Sequence, residues 1–277
     1  MDALDRRRFT EGLAALAALV AGGAFDARAA QPITADHDMS WMPASWNGAE
    51  KIGFLIYPQF TGLDMFGPHF MLTGMMGVTA YVIAKSKAPV VSDTGLVITP
   101  DASFDDAPLD LDILCVPGGA AGTLAAMQDE ATLRFLKSRG ARAKYVTSVC
   151  TGSLLLGAAG LLDGYRATSH WSATSLLSVF GATHAPGRFV RDRNRITAAG
   201  VTAGLDFGLA LVAELRDRTY AECVQLIAQY APEPPFDSGE LERAPAEVRK
   251  MMEDMFAGFR VSADQAGREA FARSKAF

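Results

Sequence analysis

From residue 51 to residue 216 the chain alternates short, continuously apolar runs with longer helix-forming segments, and this alternation restricts the fold more than any other feature. Segments 52–57, 81–84, 112–116, 145–149 and 195–199 are rich in Ile, Val, Leu and Tyr and read as strands. Segments 63–77, 124–139, 202–216 and 220–230, and the run after Cys150, read as helices. A strand with one face in water alternates apolar and polar residues. These runs do not, so both faces are covered. The pattern predicts one α/β domain, a mostly parallel sheet between two helical layers. Val90-Val91 and Leu96-Val-Ile-Thr99, divided by Asp93-Thr94-Gly95, read as a short hairpin.

Composition narrows the function classes. The chain has 277 residues, 49% hydrophobic and 21% charged, enough to bury a core. A net charge of −5 without a long basic run argues against nucleic-acid binding. Three cysteines, Cys115, Cys150 and Cys223, are too few for a disulfide scaffold and lack metal-ligand spacing, so no structural metal is expected.

The N-terminus reads as a targeting segment. Asp5-Arg6-Arg7-Arg8-Phe9-Thr10 leads into an apolar stretch at 12–25 and then Ala27-Arg28-Ala29, a small-x-small cleavage pattern. Paired arginines before x-Phe resemble a twin-arginine export signal, and the apolar stretch is too short to span a bilayer. An amphiphilic helix or an uncleaved anchor is the competing reading. Export implies a periplasmic protein with no membrane span once the signal is removed. The expected organisation is a signal at 1–29, a linker at 30–49 anchored by Trp41 and Trp46, the α/β domain at 50–232 and a C-terminal extension at 233–277. The extension is Pro- and charge-rich, with a helix expected near 248–259.

The sharpest corner of the chain carries a thiol. Tyr145-Val-Thr-Ser-Val149 reads as a buried strand, Cys150-Thr151-Gly152-Ser153 breaks it, and Leu154-Leu-Leu-Gly-Ala-Ala159 continues as a helix. Strand, tight turn and helix is the arrangement that presents a nucleophile at the top of an α/β sheet. An unperturbed thiol is only ~3% thiolate at neutral pH, and a helix N-terminus that lowered its pKa by ~2 units would make it mostly thiolate. The alternative is a small buried hydrophobe, which suits Cys115 in its strand and Cys223 in its helix better. In an open α/β sheet, ligands sit outside the carboxyl ends of the strands. Pro117-Gly118-Gly119 follows one strand there, and Asp64 opens the helix after the first. A thiol, a carboxylate and a glycine turn are thus expected to share one crevice.

Ser148-Val-Cys150-Thr-Gly152, Leu63-Asp64-Met-Phe-Gly67-Pro68, Val116-Pro-Gly-Gly119 and Ala167-Thr-Ser-His170-Trp171 together resemble the ThiJ/PfpI family of the class I glutamine-amidotransferase-like superfamily. Thr197-Ala-Ala-Gly-Val-Thr-Ala-Gly-Leu-Asp206 and Pro234-Pro-Phe-Asp-Ser-Gly239 add to the likeness, which runs over roughly residues 50–240. The motifs are most similar to those of isonitrile hydratases. The resemblance implies a flavodoxin-like three-layer sandwich, a homodimer, a small-molecule substrate and no cofactor. It implies Cys150 as nucleophile, Asp64 as its acid/base partner and Thr151 as the threonine beside it. Gly118, Gly119 and the Thr151 N–H fall at the oxyanion hole. Peptidase-like relatives carry histidine directly after the cysteine; Thr151 stands there instead. His170 either approaches the crevice or is a hydrogen-bonded structural histidine beside Trp171.

The expected reaction is hydration of an isonitrile to an N-substituted formamide through a cysteine thioimidate. Rivals are a deglycase, glyoxalase or amidase on the same elbow, and a non-catalytic ligand or redox sensor. The sensor half of a transcription regulator needs a further DNA-binding domain, for which the roughly 45 residues after 232 are too few.

Overall fold

The computed structural model describes residues 41–276, so the expected export signal and most of the expected linker lie outside the described residues. In chain order the strands are β1 (Lys51–Leu55), β2 (Thr79–Ala84), β3 (Val90–Val91), β4 (Val97–Ile98), β5 (Ala102–Ser103), β6 (Ile113–Val116), β7 (Tyr145–Val149), β8 (Arg166–Ala167), β9 (Thr183–His184), β10 (Phe189–Asp192) and β11 (Arg195–Ala198). Seven of them form one sheet in the order β10–β11–β7–β6–β1–β2–β5. Only the β10–β11 pair is antiparallel. The expected mostly parallel sheet is therefore present, and the hairpin is the β3–β4 pair, with Val90 opposite Ile98.

The chain starts in the middle of this sheet, at β1. It moves outward to β2 and β5, then returns to β6 on the other side of β1 and continues through β7 to β11. Strand order therefore reverses between β1 and β6, and loops on either side of that point separate and leave a crevice. The sheet interior is apolar on both faces, with Ile52, Phe54, Ile113, Leu114 and Val146 fully buried.

The helices are α1 (Gly62–Thr73), α2 (Ala120–Gln128), α3 (Glu130–Gly140), α4 (Gly152–Ala158), α5 (Ala203–Leu215), α6 (Arg218–Ile227) and α7 (Ala246–Ser274), with a 3-10 helix at Trp171–Phe180. One layer packs α1 on α5 and α5 on α6; the other groups α2, α4, the 3-10 helix and α7. The short 3-10 turn Ala44–Trp46 belongs to the domain. Trp46 is buried edge-on to Tyr220 and donates to Asp217 at 2.5 Å, while Glu50 forms a two-point ion pair with Arg216 at 2.8 Å.

Two helices differ from expectation. The run 124–139 divides at Asp129, whose extended backbone (φ −83°, ψ 104°) ends α2 and whose carboxylate accepts from Thr132 N–H and Oγ1 to cap α3. The expected helix at 248–259 is far longer, α7 running to Ser274. Its C-terminal half is seated on the domain by Ala263, Ala266, Gly267 and Ala270. A Cβ at Gly267 would lie 2.8 Å from Phe180 Cζ, so the approach depends on glycine. The extension is thus packed into the domain rather than appended to it. No helix among the described residues is long and apolar enough to cross a membrane.

Candidate active site

Cys150 sits at the end of β7 with φ +58°, in the left-handed region that a side-chain-bearing residue occupies at a cost. The surroundings over-determine that conformation. Its N–H donates to Ala198 and Ala199 carbonyls at 3.1 and 2.8 Å, and its carbonyl accepts from Ser153 and Ser169 hydroxyls at 3.3 and 3.1 Å. Gly152 lets the elbow lie against β6, since a Cβ there would come 2.3 Å from the Val116 carbonyl oxygen. The thiol is turned inward and only 7% exposed.

Asp64 reaches the same point from the first turn of α1 and is 1% exposed. Its Oδ2 accepts the Gly118 N–H at 2.8 Å, while Oδ1 is buried with no hydrogen-bond donor of its own. Burial pushes its carboxyl up to about 7; the Gly118 N–H and the Cys150 thiol oppose that rise, and the charge of Asp93 adds to it. Burial and the Asp64 charge push the Cys150 thiol well above its ordinary value, against hydrogen bonds from the Thr151 backbone and hydroxyl. This corrects the expectation of a thiol lowered by a helix N-terminus. Burial therefore disfavours the charged form of both members of the pair.

The glycine turn does something other than expected. Gly118 N–H is given to Asp64, and Gly119 N–H to Thr151 Oγ1 at 3.0 Å. Two of the three N–H groups expected to face a bound oxyanion, those of Gly118 and Gly119, already have acceptors inside the protein. What the turn builds is the placement of the carboxylate and the hydroxyl. Gly119 has φ +149°, and a Cβ there would sit 2.4 Å from the Gln59 carbonyl oxygen, so no larger residue fits. Thr151 Oγ1 continues inward to Thr123 Oγ1 at 2.9 Å and on to Tyr57, whose hydroxyl donates to the Pro117 carbonyl at 2.8 Å. This buried chain leaves Thr151 little freedom to rotate.

Above the pair opens a cavity of about 490 Å³ lined by Gln59, Thr61, Asp93, Gly119, Ala120, Ala121, Cys150, Thr151, His170, Val201, Phe256 and Phe259. It is the size of a small-molecule site. A second cavity of about 480 Å³, between the ends of β1 and β2 and helix α2, lacks the thiol and the carboxylate. His170 lines the Cys150 cavity and also caps the 3-10 helix, its Nδ1 lying 2.7 Å from Ser172 Oγ and accepting from Ser172 N–H. Both readings of this histidine therefore hold at once. Burial lowers its pKa to about 4, so it is neutral near pH 7. Cys115 is buried in β6, where burial pushes its thiol up to about 12; Cys223 is exposed on α6. The reading of Cys223 as a buried hydrophobe is corrected by that exposure. No group of three or more His, Cys, Asp or Glu among the described residues is placed to hold a metal.

Several lining residues were not legible. Asp93 enters from the turn between β3 and β4, held by Thr61 Oγ1 at 2.7 Å. Phe256 and Phe259 come from α7, three residues apart on one face. The apolar spacing was the available signal, but nothing local said which face met the elbow.

A mostly parallel sheet with a left-handed cysteine at the carboxyl end of β7, one strand from the switch point, beside a buried carboxylate defines an α/β protein with a strand–turn–helix elbow. Residues 50–214 match the DJ-1/PfpI family, and the chain belongs to it. The chain is 50% identical over 200 residues to the isonitrile hydratase of Pseudomonas putida, covering 72% of this chain and 87% of that one. A solved ThiJ/PfpI family protein from Pseudomonas syringae superposes with a TM-score of 0.82 at 54% identity, covering 86% of this chain and 98% of that one. The transcriptional regulator GbdR of Pseudomonas aeruginosa is 31% identical over 191 residues, 66% of this chain but 51% of the regulator.

Proposed function

We propose that this protein adds water to an isonitrile to give an N-substituted formamide, with Cys150 as nucleophile and Asp64 as the group that moves the proton. The observation that carries the proposal is the buried thiol–carboxylate pair beneath a cavity with no lysine or arginine in its lining. The likeness to the Pseudomonas putida isonitrile hydratase supports the same reading.

The chemistry follows from where the proton rests. Asp64, as carboxylate, takes the thiol proton while sulfur bonds to the terminal isonitrile carbon. The same carboxyl returns that proton to the carbon, leaving a thioimidate, R–N=CH–S–Cys150. A water molecule then adds to this carbon, losing one proton to Asp64, which passes it to the imine nitrogen. Collapse of the tetrahedral adduct sends its hydroxyl proton through Asp64 to the departing sulfur and releases R–NH–CHO. One water is consumed and no electrons change hands. The orphaned Oδ1 of Asp64 gives the incoming water an acceptor.

Incubation with cyclohexyl isonitrile, followed by mass spectrometry of protein and solution, tests the proposal. A transient adduct on the Cys150 peptide together with N-cyclohexylformamide is expected. An adduct without formamide would favour a reactive thiol with another purpose.

Export is proposed on Arg6-Arg7 and Ala27-Arg28-Ala29. Replacing both arginines by lysine should leave the full-length precursor in the cytoplasm; mature protein still found in the periplasm would overturn the twin-arginine reading.

A further inference from the structure

We infer that α7 supplies an aromatic wall to the Cys150 cavity, and that this wall selects neutral substrates carrying an apolar ring or chain. The choice of isonitriles rests on the function proposed above; the wall itself rests on geometry.

Phe256 is the centre of a small aromatic cluster. Its ring lies 5.5 Å from that of His170, 5.3 Å from Trp171 in an edge contact at 77°, and 6.1 Å from Phe259 at 85°. Phe256, Phe259 and His170 all line the cavity that holds Cys150 and Thr151, with Val201 beside them. Edge-to-face contacts of this kind hold rings in place without filling the space in front of them.

The mount is firm. Beyond Phe259 the helix buries Ala263, Ala266, Gly267 and Ala270, and Phe271 meets Phe180 edge-on at 6.0 Å. Lys137 Nζ donates to the Ser274 carbonyl at 2.8 Å at the far end. The two phenylalanines therefore project from a helix pinned along its C-terminal half. The matched family region ends at residue 214, so α7 lies outside it.

Charge makes the selection sharper. Among the described residues the lining holds one carboxylate side chain, Asp93, held by Thr61, and no lysine or arginine. His170 offers no positive charge near pH 7, because burial lowers its pKa to about 4. A substrate bearing a carboxylate or phosphate would meet an acid and no cation, with its own desolvation unrelieved. A neutral group with apolar bulk meets two phenylalanines and a valine.

The test uses two probe pairs on the full chain. Benzyl and methyl isonitrile are compared by kcat/KM, and N-benzyl iodoacetamide is compared with its 4-carboxybenzyl analogue and with iodoacetamide by labelling rate of the Cys150 peptide, which excludes labelling at exposed Cys223. In Phe256→Ala the benzyl-to-methyl ratio is expected to fall about ten- to a hundredfold, and the benzyl advantage in labelling to fall with it. The parent protein should label with the benzyl reagent at least ~10-fold faster than with the carboxylate analogue. Phe256→Leu keeps apolar bulk against α7's neighbours should the alanine variant fail to fold, and its benzyl preference is expected to drop about threefold. Unchanged ratios in the folded variants, or equal labelling by the carboxylate analogue, would overturn the wall. If the parent made no formamide from either isonitrile, the hydratase reading would fail alone, and the labelling ratios would still decide the wall.

Discussion

An Asp64→Asn protein is expected to be more stable than its parent near neutral pH and to turn over isonitrile ~10²–10⁴-fold more slowly. Both effects have one cause. Asp64 is 1% exposed, its Oδ1 has no donor, and its carboxyl titrates at about 7 instead of 3.8. Between those two values the unfolded chain releases the proton while the native protein keeps it. The native state then binds more protons, so the stability contributed by the neutral carboxyl is full below about pH 4 and is lost as pH rises through about 7. A shift of this size corresponds to roughly 4 kcal/mol. Asparagine avoids that loss and retains an acceptor for the Gly118 N–H. Thermal melts from pH 4 to 8 should show the variant's advantage growing up to about pH 7 and levelling above it. The parent's kcat/KM should rise through about pH 7 as the carboxylate forms, with the apparent pKa belonging to the Cys150–Asp64 pair. The variant's residual activity should lack that limb. Parent-rate turnover by Asp64→Asn would sink the proton-transfer role.

Cys150→Ala should reduce formamide formation at least ~10⁴-fold, to the level of the uncatalysed reaction, because no other thiol borders the cavity. Cys115 lies inside β6 with its thiol pushed to about 12, and Cys223 is on the exposed side of α6, so alanine at either should leave turnover largely intact. The elbow adds a second readout. At φ +58° alanine inherits the strain that Cys150 bears, whereas glycine does not. Cys150→Gly should therefore be more stable than Cys150→Ala by about 1 kcal/mol, though both are inactive. Substantial turnover in either variant would remove Cys150 from the reaction.

Much of this site was legible because the relevant signals are local. Cys150 followed by Thr151 and Gly152 marks a corner between an apolar strand and a helix, and the corner is where it was read. The thiol's acidity is not legible from its neighbours, for a physical reason. A helix N-terminus argues for a lowered pKa, but α4 is seven residues long and buried throughout, so burial and the facing carboxylate prevail. The place of the glycine turn follows from its own residues, whereas the acceptors of its N–H groups, Asp64 and Thr151, lie 54 and 32 residues away.

Taken alone, the sequence determined the alternating strands and helices and the elbow, since period, apolar runs and short motifs are properties of neighbouring residues, and it made Asp64 the partner of Cys150 only through the family resemblance. Only the tertiary structure decided how deeply the pair is buried, where the N–H groups of Gly118 and Gly119 are spent, and which helix lines the cavity. Each of these depends on burial and on hydrogen bonds between segments brought together by the crossover at β1 and β6. Phe256 is the clearest case: its helix was expected near residues 248–259, yet its partners His170 and Trp171 lie some eighty residues earlier. Helical spacing specifies a face, and only packing specifies what that face meets.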